Sequence, residues 1–262
     1  MAFVTCVIGC DIGTSSTKSV VVDVESGDMR AAASSFEYFP SSPRPKWSEQ
    51  DPQVWMQACF ESLRKVITLS RANGIGPDDV AAICISALNP GSGILLDEQL
   101  KPIHPALIWN DTRATREARD AVERIGQERL SAITGNPSDP YFGFTKMLWI
   151  KDNVPAIWSR THKFATPNGY AAYLLTGTLR YDLCYAGNLG GVFDINHLSW
   201  SDELLNELDI SRDKLPDLIP CDQIVGEVSS QGAGLSGLKK GTPVAAGGKR
   251  RTDKRSGKWC SE

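Results

Sequence analysis

The chain has 262 residues, 28 Lys and Arg against 31 Asp and Glu, a formal charge of −3, and a composition 41% hydrophobic and 23% charged. That balance belongs to a soluble globular protein and excludes a disordered, collagen-like or membrane-spanning chain. The charge is uneven: residues 249–262 hold six basic residues (Lys249, Arg250, Arg251, Lys254, Arg255, Lys258) and two acids (Asp253, Glu262), so a +4 tail follows a −7 body.

In chain order, residues 3–12 are a nearly continuous apolar run, the pattern of a strand buried on both faces. Gly13-Thr14-Ser15-Ser16 breaks it, and 18–24 is β-branched, so the two segments predict a hairpin rather than a strand-to-helix crossover. A third strand is expected over 31–39. Asp51 and Pro52 are a good N-cap and first helical residue, and Met56, Phe60, Leu63 and Ile67 recur on one helical face that should stop near Asn73-Gly74. Strands are predicted over 80–86, 93–97 and 105–109, then one long amphipathic helix over 113–130. Shorter helices are expected at 145–151, 156–160, 170–175 and 201–208, with two short strands within 178–195. Residues 209–242 read as loop-rich, with a small Gly-rich module at 226–241, and 244–248 as a last buried strand and turn. Strands in a hairpin run, then alternating with helices, predict an α/β domain with a mixed sheet and no boundary within 1–248.

Seven cysteines are scattered without a Cys-x-x-Cys pair, and three histidines form no His-Glu-x-x-His, which argues against a zinc framework. No cationic segment precedes the apolar N-terminus and no apolar stretch is long enough to cross a bilayer, so a reduced cytoplasmic protein without a membrane partner is expected.

Three segments could carry chemistry. In Asp11–Lys18, a carboxylate leaves the end of a buried strand, where it could hold Mg²⁺. Gly13 permits a tight turn, the N–H groups and hydroxyls of Thr14, Ser15, Ser16 and Thr17 could meet phosphate oxygens, and Lys18 could add a point charge. A polar hairpin turn satisfying its own backbone is the alternative. There is no Gly-x4-Gly-Lys-[Ser/Thr] and no Gly-x-Gly-x-x-Gly. Trp47–Pro52 is explained as an aromatic anchor and a helix cap. Residues 108–113 group Trp109, Asn110, Asp111 and Arg113 at a strand-to-helix junction, where they could bind a polyhydroxylated ligand, or cap a helix beside a surface Arg. Between them, Asn89 and Ser92 lie in a polar loop after a buried strand, a place where ligand-contacting groups often sit.

In this order and spacing, the segments resemble the FGGY family of carbohydrate kinases, most closely its xylulokinase-like branch. Asp11–Lys18 looks like the family's phosphate hairpin, Trp47–Pro52 like its Trp-x-Glu-Gln-Asp-Pro stretch, and Pro105–Arg113 like its Pro-Ala-Ile-Leu-Trp-x-Asp-x-Arg. Ile133–Asn136, Thr145–Trp149, Leu174–Gly177 and Gly241–Gly248 add to the match, which spans about 5–248. The resemblance implies the actin-like, ribonuclease-H-like fold, with 1–248 as the first of two domains that close on ATP and sugar. It also implies γ-phosphoryl transfer to a sugar hydroxyl of pentulose type, with Mg²⁺. Asp11 is then the Mg²⁺- and phosphate-side carboxylate, Gly13, Thr14, Ser15 and Lys18 lie along the phosphates, and Asn89, Ser92, Asp111 and Arg113 face the sugar.

Two departures qualify the resemblance. The family continues its Gly-Gly turn into Gly-Asp, and that Asp is the catalytic base; here Lys249-Arg250 follows, so Arg250 stands at the base position. A truncation or frameshift near Gly248 would account for this and for the missing second domain, leaving 249–262 as a basic non-family tail and the chain crippled as a catalyst. Self-association could then replace the absent domain. A non-catalytic sugar-binding or regulatory remnant is the alternative, and a nucleic-acid-binding tail is disfavoured because the basic residues lack interleaved aromatics. The second departure is Leu88–Ser92, which matches neither the Gln-Met-His-Gly loop of pentulose kinases nor the Gln-Arg-Glu-Thr of glycerol kinases.

Overall fold

The computed structural model describes residues 5–89, 91 and 93–248. Ser92 and the basic segment 249–262, with Arg250, lie outside the described residues. The first apolar run folds as β1 (Cys6–Ile12), turns, and returns as β2 (Thr17–Asp23), paired antiparallel with Asp11 opposite Lys18. The third strand, β3 (Met29–Ser34), pairs with β2 and ends five residues before the expected position. Beyond it the chain leaves the sheet to follow the hairpin tip: the Tyr38 N–H donates to Ser15 O at 2.9 Å and the Tyr38 hydroxyl to Gly13 O at 2.7 Å.

After β4 (Glu49–Gln50) comes α1 (Pro52–Ala72), and the expected cap is in place, with Asp51 Oδ1 accepting from Gln53 N at 2.9 Å. The helix buries Trp55, Met56, Cys59, Phe60, Leu63, Val66 and Ile67 against β1, β2 and β3. Next are β5 (Val80–Ala87), β6 (Ile94–Leu96) and β7 (Ala106–Leu107). The long helix predicted over 113–130 is two, α2 (Thr115–Ile125) and α3 (Gln127–Thr134), broken at Gly126 where φ is 85°. Then follow α4 (Gly143–Asn153), α5 (Pro155–Arg160), β8 (Lys163–Ala165) and α6 (Pro167–Thr176).

The two strands expected within 178–195 are too simple a description. That stretch holds β9 (Tyr181–Asp182), the helix α7 (Leu183–Leu189) and β10 (Phe193–Asp194). Asp182 Oδ1 accepts from Tyr185 N at 3.0 Å and so caps α7, a start signal that the short apolar run conceals. The chain closes with β11 (Ser199–Trp200), α8 (Asp202–Glu207), β12 (Leu218–Ile219), β13 (Ile224–Glu227), α9 (Ser230–Ser236) and β14 (Pro243–Ala245). The Gly-rich module therefore contains a helix, capped by Ser229 Oγ accepting from Gly232 N at 3.0 Å.

The main sheet has six strands in the order β13-β14-β5-β1-β2-β3 and is mixed, as predicted: β5 runs parallel to β1 and β14, and the remaining pairs are antiparallel. Short ladders β4-β7, β6-β8, β9-β12 and β10-β11 stand apart from it. Both α1 and α6 pack on the sheet, and each touches the other and α9. The burial of β1 on both faces does not occur. Cys6, Ile8, Cys10 and Ile12 are buried while Val7, Gly9 and Asp11 are half-exposed, because these helices cover one face only. Asp11 is therefore on the open face.

Candidate functional site

The parallel strands β1, β5 and β14 all end on one edge of the sheet, the edge where α/β proteins place ligands. The ends are tied together: Leu88 N donates to Ile12 O at 2.7 Å. Asp11 lies opposite Ser86 in the β1-β5 ladder and opposite Lys18 in the β1-β2 ladder, so the three side chains share the open face. Ser86 Oγ donates to Asp11 Oδ1 at 2.8 Å, which fixes the carboxylate, and Lys18 is exposed.

The hairpin tip uses part of its own polarity. Gly13 N donates to Ser16 O at 3.0 Å, and a Cβ on Gly13 would lie 2.7 Å from that oxygen, so the turn requires glycine. Thr17 N donates to Ser35 Oγ at 3.0 Å, and Thr17 Oγ1 lies 3.1 Å from the buried Tyr38 hydroxyl. Burial pushes that phenol up to about 12. Of Thr14, Ser15 and Ser16 at the tip, Ser15 is the exposed one. Gln50 holds the turn from below: its Nε2 donates to Thr14 O at 2.7 Å while its Oε1 accepts from Trp55 Nε1 at 3.0 Å.

A second set of groups borders the hairpin. The Trp109 indole is 40% exposed and its Nε1 lies 3.4 Å from Thr14 Oγ1, so this ring spans the gap between the two halves of the site. Tyr141 meets Trp109 edge to face at 6.5 Å, and Asn89 Nδ2 donates to the Tyr141 hydroxyl at 2.7 Å. Indole, phenol and amide together offer a stacking surface and hydrogen-bond partners of the kind a polyhydroxylated ligand uses. The structure thus brings Asn89, Thr14 and Asp11 to one edge. The loop carrying Asn89 is wedged there: a Cβ on Gly91, where φ is 57°, would stand 1.8 Å from Leu107 O, and one on Gly143 would stand 2.0 Å from Gly91 O.

Asp111 and Arg113 are placed differently from the expectation. The Asp111 side chain is fully buried, and its oxygens accept from Ser48 N at 2.7 Å, Arg113 Nε at 2.9 Å and an Arg113 Nη at 2.7 Å. Arg113 is also buried, pairs with Glu49 at 2.7 Å, and its guanidinium carbon stands 3.5 Å from the Trp47 ring centroid and 4.7 Å from that of Trp149. This is an ionic and cation–π core under the site rather than a ligand-facing pair, and the surface-Arg alternative is equally excluded. It is connected to the ligand side through its neighbour Lys146, whose buried ammonium donates to Pro140 O and, at 2.9 Å, to Tyr141 O. Burial pushes Lys146 down to about 7 against the opposing pull of Asp111 and Asp139.

Sequence reasoning missed Tyr141, Gln50 and Lys146 as parts of the site. Tyr141 had only a faint signal, an aromatic pair behind Ser138-Asp139-Pro140, since loops carry no periodicity. Gln50 was visible within Trp47–Pro52 but read as part of a cap.

A family model described as "FGGY family of carbohydrate kinases, N-terminal domain" matches residues 6–258. The xylulose kinase of Lactococcus lactis is 35% identical over 246 residues, covering 93% of this chain and 47% of that protein. That of Staphylococcus xylosus is 32% identical over 243 residues, covering 92% and 48%. Among solved structures, a xylulose kinase from Rhodospirillum rubrum superposes with a TM-score of 0.86 at 28% identity, covering 93% of this chain and 49% of that one. A gluconate kinase from Lactobacillus acidophilus superposes with a TM-score of 0.83 at 25% identity, covering 94% and 48%. The chain spans about half the length of the curated relatives it matches.

Proposed function

The chain belongs to the FGGY family of carbohydrate kinases, and from that premise we propose that it forms the sugar- and phosphate-facing half of an ATP-dependent kinase for a pentulose-like sugar. The observation that carries this reading is the single edge where Asp11, the 13–16 turn and the Asn89–Tyr141–Trp109 group meet, with Trp109 linking the last two through Thr14. The fold is the mixed α/β type of the actin-like ATPases, which suits such an edge.

In this reading the sugar rests against Trp109 and Tyr141, and Asn89 and the Tyr141 hydroxyl meet its hydroxyls. Lys146 sets Tyr141 from behind by holding its carbonyl. The 13–16 turn offers N–H and hydroxyl donors to phosphate oxygens, and Lys18 adds positive charge on the open face beside Asp11. The oxygen donors Asp11 and Ser86, on a half-exposed face, fit Mg²⁺, a hard cation that keeps several waters. When bound with ATP, Mg²⁺ supplies charge compensation for phosphoryl transfer. Asp111 and Arg113 act by holding Trp109 and its loop in place. Residue 250 is Arg at the position the family pattern gives to the base, so turnover by this 262-residue chain is expected to be severely impaired. A cytoplasmic setting accords with the unpaired buried thiols Cys6, Cys10 and Cys59.

Two measurements separate the readings. ADP release coupled to an indicator enzyme, over a panel of pentuloses, glycerol and gluconate, should show turnover far below that of ordinary kinases; rates in the usual range of about 1–100 s⁻¹ overturn the impairment. Calorimetry should show sugar binding, weakened about 3- to 10-fold by Asn89→Ala or Tyr141→Phe, as expected for one lost hydrogen bond. No binding of any sugar overturns the site. The second reading, a non-catalytic sugar-binding remnant, is favoured by Arg250 and predicts sugar affinity that is indifferent to nucleotide.

A further inference from the structure

Cys184 and Cys221 are far apart in the sequence, yet the fold brings the two together beside a carboxylate. Strands β9 and β12 run parallel with Ile219 opposite Asp182, and each chain carries a thiol two residues further on. Cys184 lies in the first turn of α7 and Cys221 in the loop after β12, 37 residues away, with their Sγ atoms 3.1 Å apart. Cys221 Sγ is 3.8 Å from Asp182 Oδ1, and one donor atom from each residue lies within 4.8 Å of the others.

We propose that Asp182, Cys184 and Cys221 form a binding site for a thiophilic divalent cation, zinc being the natural occupant. Tetrahedral zinc, with bonds of about 2.3 Å to sulfur and about 2.0 Å to oxygen, sets its donor atoms roughly 3.5–3.8 Å apart. The sulfur–oxygen pair already has that separation, and the two sulfurs reach it by small side-chain rotations. Three protein donors leave the fourth position to water. Both thiols are half-exposed, which gives the cation a route in, whereas Asp182 is buried. Binding involves no oxidation: the cation replaces the two thiol protons, together with the proton that burial favours on the Asp182 carboxyl, and these pass to solvent, so affinity rises with pH.

The surroundings resemble the outer support of a metal centre. Asn168, buried, donates through Nδ2 to Asp182 Oδ2 at 3.0 Å, and Tyr185 N donates to Oδ1 at 3.0 Å, so the carboxylate is aimed from two sides. Asn168 Oδ1 is itself buried without a hydrogen-bond partner. The cluster touches the edge already described. Gly247 N donates to Cys221 O at 3.2 Å, and a Cβ on Gly248 would stand 3.5 Å from Cys221 Sγ and 3.6 Å from Cys184 Sγ. A bound cation therefore pins the Gly-Gly turn as it leaves β14. The proposal needs neither sugar nor nucleotide chemistry and stands apart from the kinase reading.

The test uses the 262-residue chain, reduced with a phosphine and stripped of metal, titrated with Co²⁺. One equivalent should produce near-ultraviolet thiolate-to-cobalt charge-transfer absorption, bleached by one equivalent of Zn²⁺. Cys184→Ser and Cys221→Ser should each abolish it, Asn168→Ala should weaken binding about 10-fold, and Cys260→Ser should leave it intact. The titration of the unaltered chain is decisive by itself, since absence of the band overturns the proposal whatever the variants do. A band that survives both Cys→Ser changes, or that is lost in Cys260→Ser, overturns the assignment of the ligands. Far-ultraviolet circular dichroism on each serine variant ensures that loss of the band is read only from folded protein.

Discussion

Arg113 spends its guanidinium on the fold. It is held by Asp111 and Glu49 and lies against the faces of Trp47 and Trp149, with its side chain and that of Asp111 both excluded from water. Two charges in such a place are tolerated because each answers the other, and removing one leaves the other uncompensated, at a cost of about 3–5 kcal/mol. Asp111→Ala should therefore lower the urea-unfolding free energy by about that amount. Arg113→Lys should also destabilise, since an ammonium can neither bridge two carboxylates as a planar fork nor stack between two rings. Were Asp111 instead a ligand-facing group, stability would change by less than about 1 kcal/mol while sugar affinity collapsed. The sequence placed both residues correctly at a strand-to-helix junction. It could not reveal which way the charges face, because the rings that cover them come from residues 47 and 149, far away along the chain. Lys146 extends the same core. With its proton affinity pushed down from 10.5 to about 7 by burial, the native ammonium is lost in a range where the unfolded chain still carries its proton. The groups around it are the Pro140 and Tyr141 carbonyls, Asp111, Asp139 and the opposing cation Arg113. The unfolded state binds more protons between about pH 7 and 10.5, so Lys146 should make stability rise with pH across that window. Denaturant midpoints taken at intervals over this range should show a smaller slope in Lys146→Met; an unchanged slope would show that the lysine stays charged.

At the scale of elements, legibility followed the strength of the local signal. The helix α1 was readable to within a residue at its start because Asp51 and Pro52 mark it and its apolar spacing runs for about three turns. The α2–α3 break was not, since Ile125 and Leu130 continue an apolar face across Gly126 and a single glycine is weak evidence against a helix. Helix α7 is too short for periodicity to register, and its cap, Asp182, looks like an ordinary polar residue in a strand. The 88–93 loop shows a different limit. Its glycines read as generic turn residues, whereas Gly91 is packed against Leu107 O on one side and Gly143 on the other. A methyl group there cannot be accommodated unless the loop separates from β7 and α4. Gly91→Ala should cost about 3 kcal/mol or more, above the usual range for overpacking because the clash is with backbone and φ is positive. It should also weaken sugar binding more than Asn89→Ala, because moving the loop displaces Asn89 from Tyr141. A stability loss below about 1 kcal/mol would contradict the packing, and calorimetry on the same protein would check the second part.

At the scale of the molecule, the decisive feature is a sheet with helices on one face. The mixed sheet was legible because a hairpin followed by alternating elements allows few other arrangements. Its one-sidedness was hidden by the unbroken apolar run of β1, in which half-covered Val7 and buried Ile8 look alike. The same ambiguity recurs in β2, where Val20, Val21 and Val22 are consecutive and chemically identical. Val21 is 0% exposed and faces the side packed by α1, whereas Val20 and Val22 face the side that carries Asp11, Lys18 and Ser86. The open face lies beside the edge proposed above for sugar and phosphate. If only one face is core, isosteric polar substitution should separate these three valines sharply. Val21→Thr places a hydroxyl in a dry, close-packed layer and should cost about 1–3 kcal/mol, while Val20→Thr and Val22→Thr should stay near 0.5 kcal/mol, because threonine suits a half-wet strand. Urea unfolding of the three variants measures this directly. Equal losses at all three positions would mean that the face bearing Asp11 is packed in solution, and the open edge on which the proposed site depends would have to be abandoned.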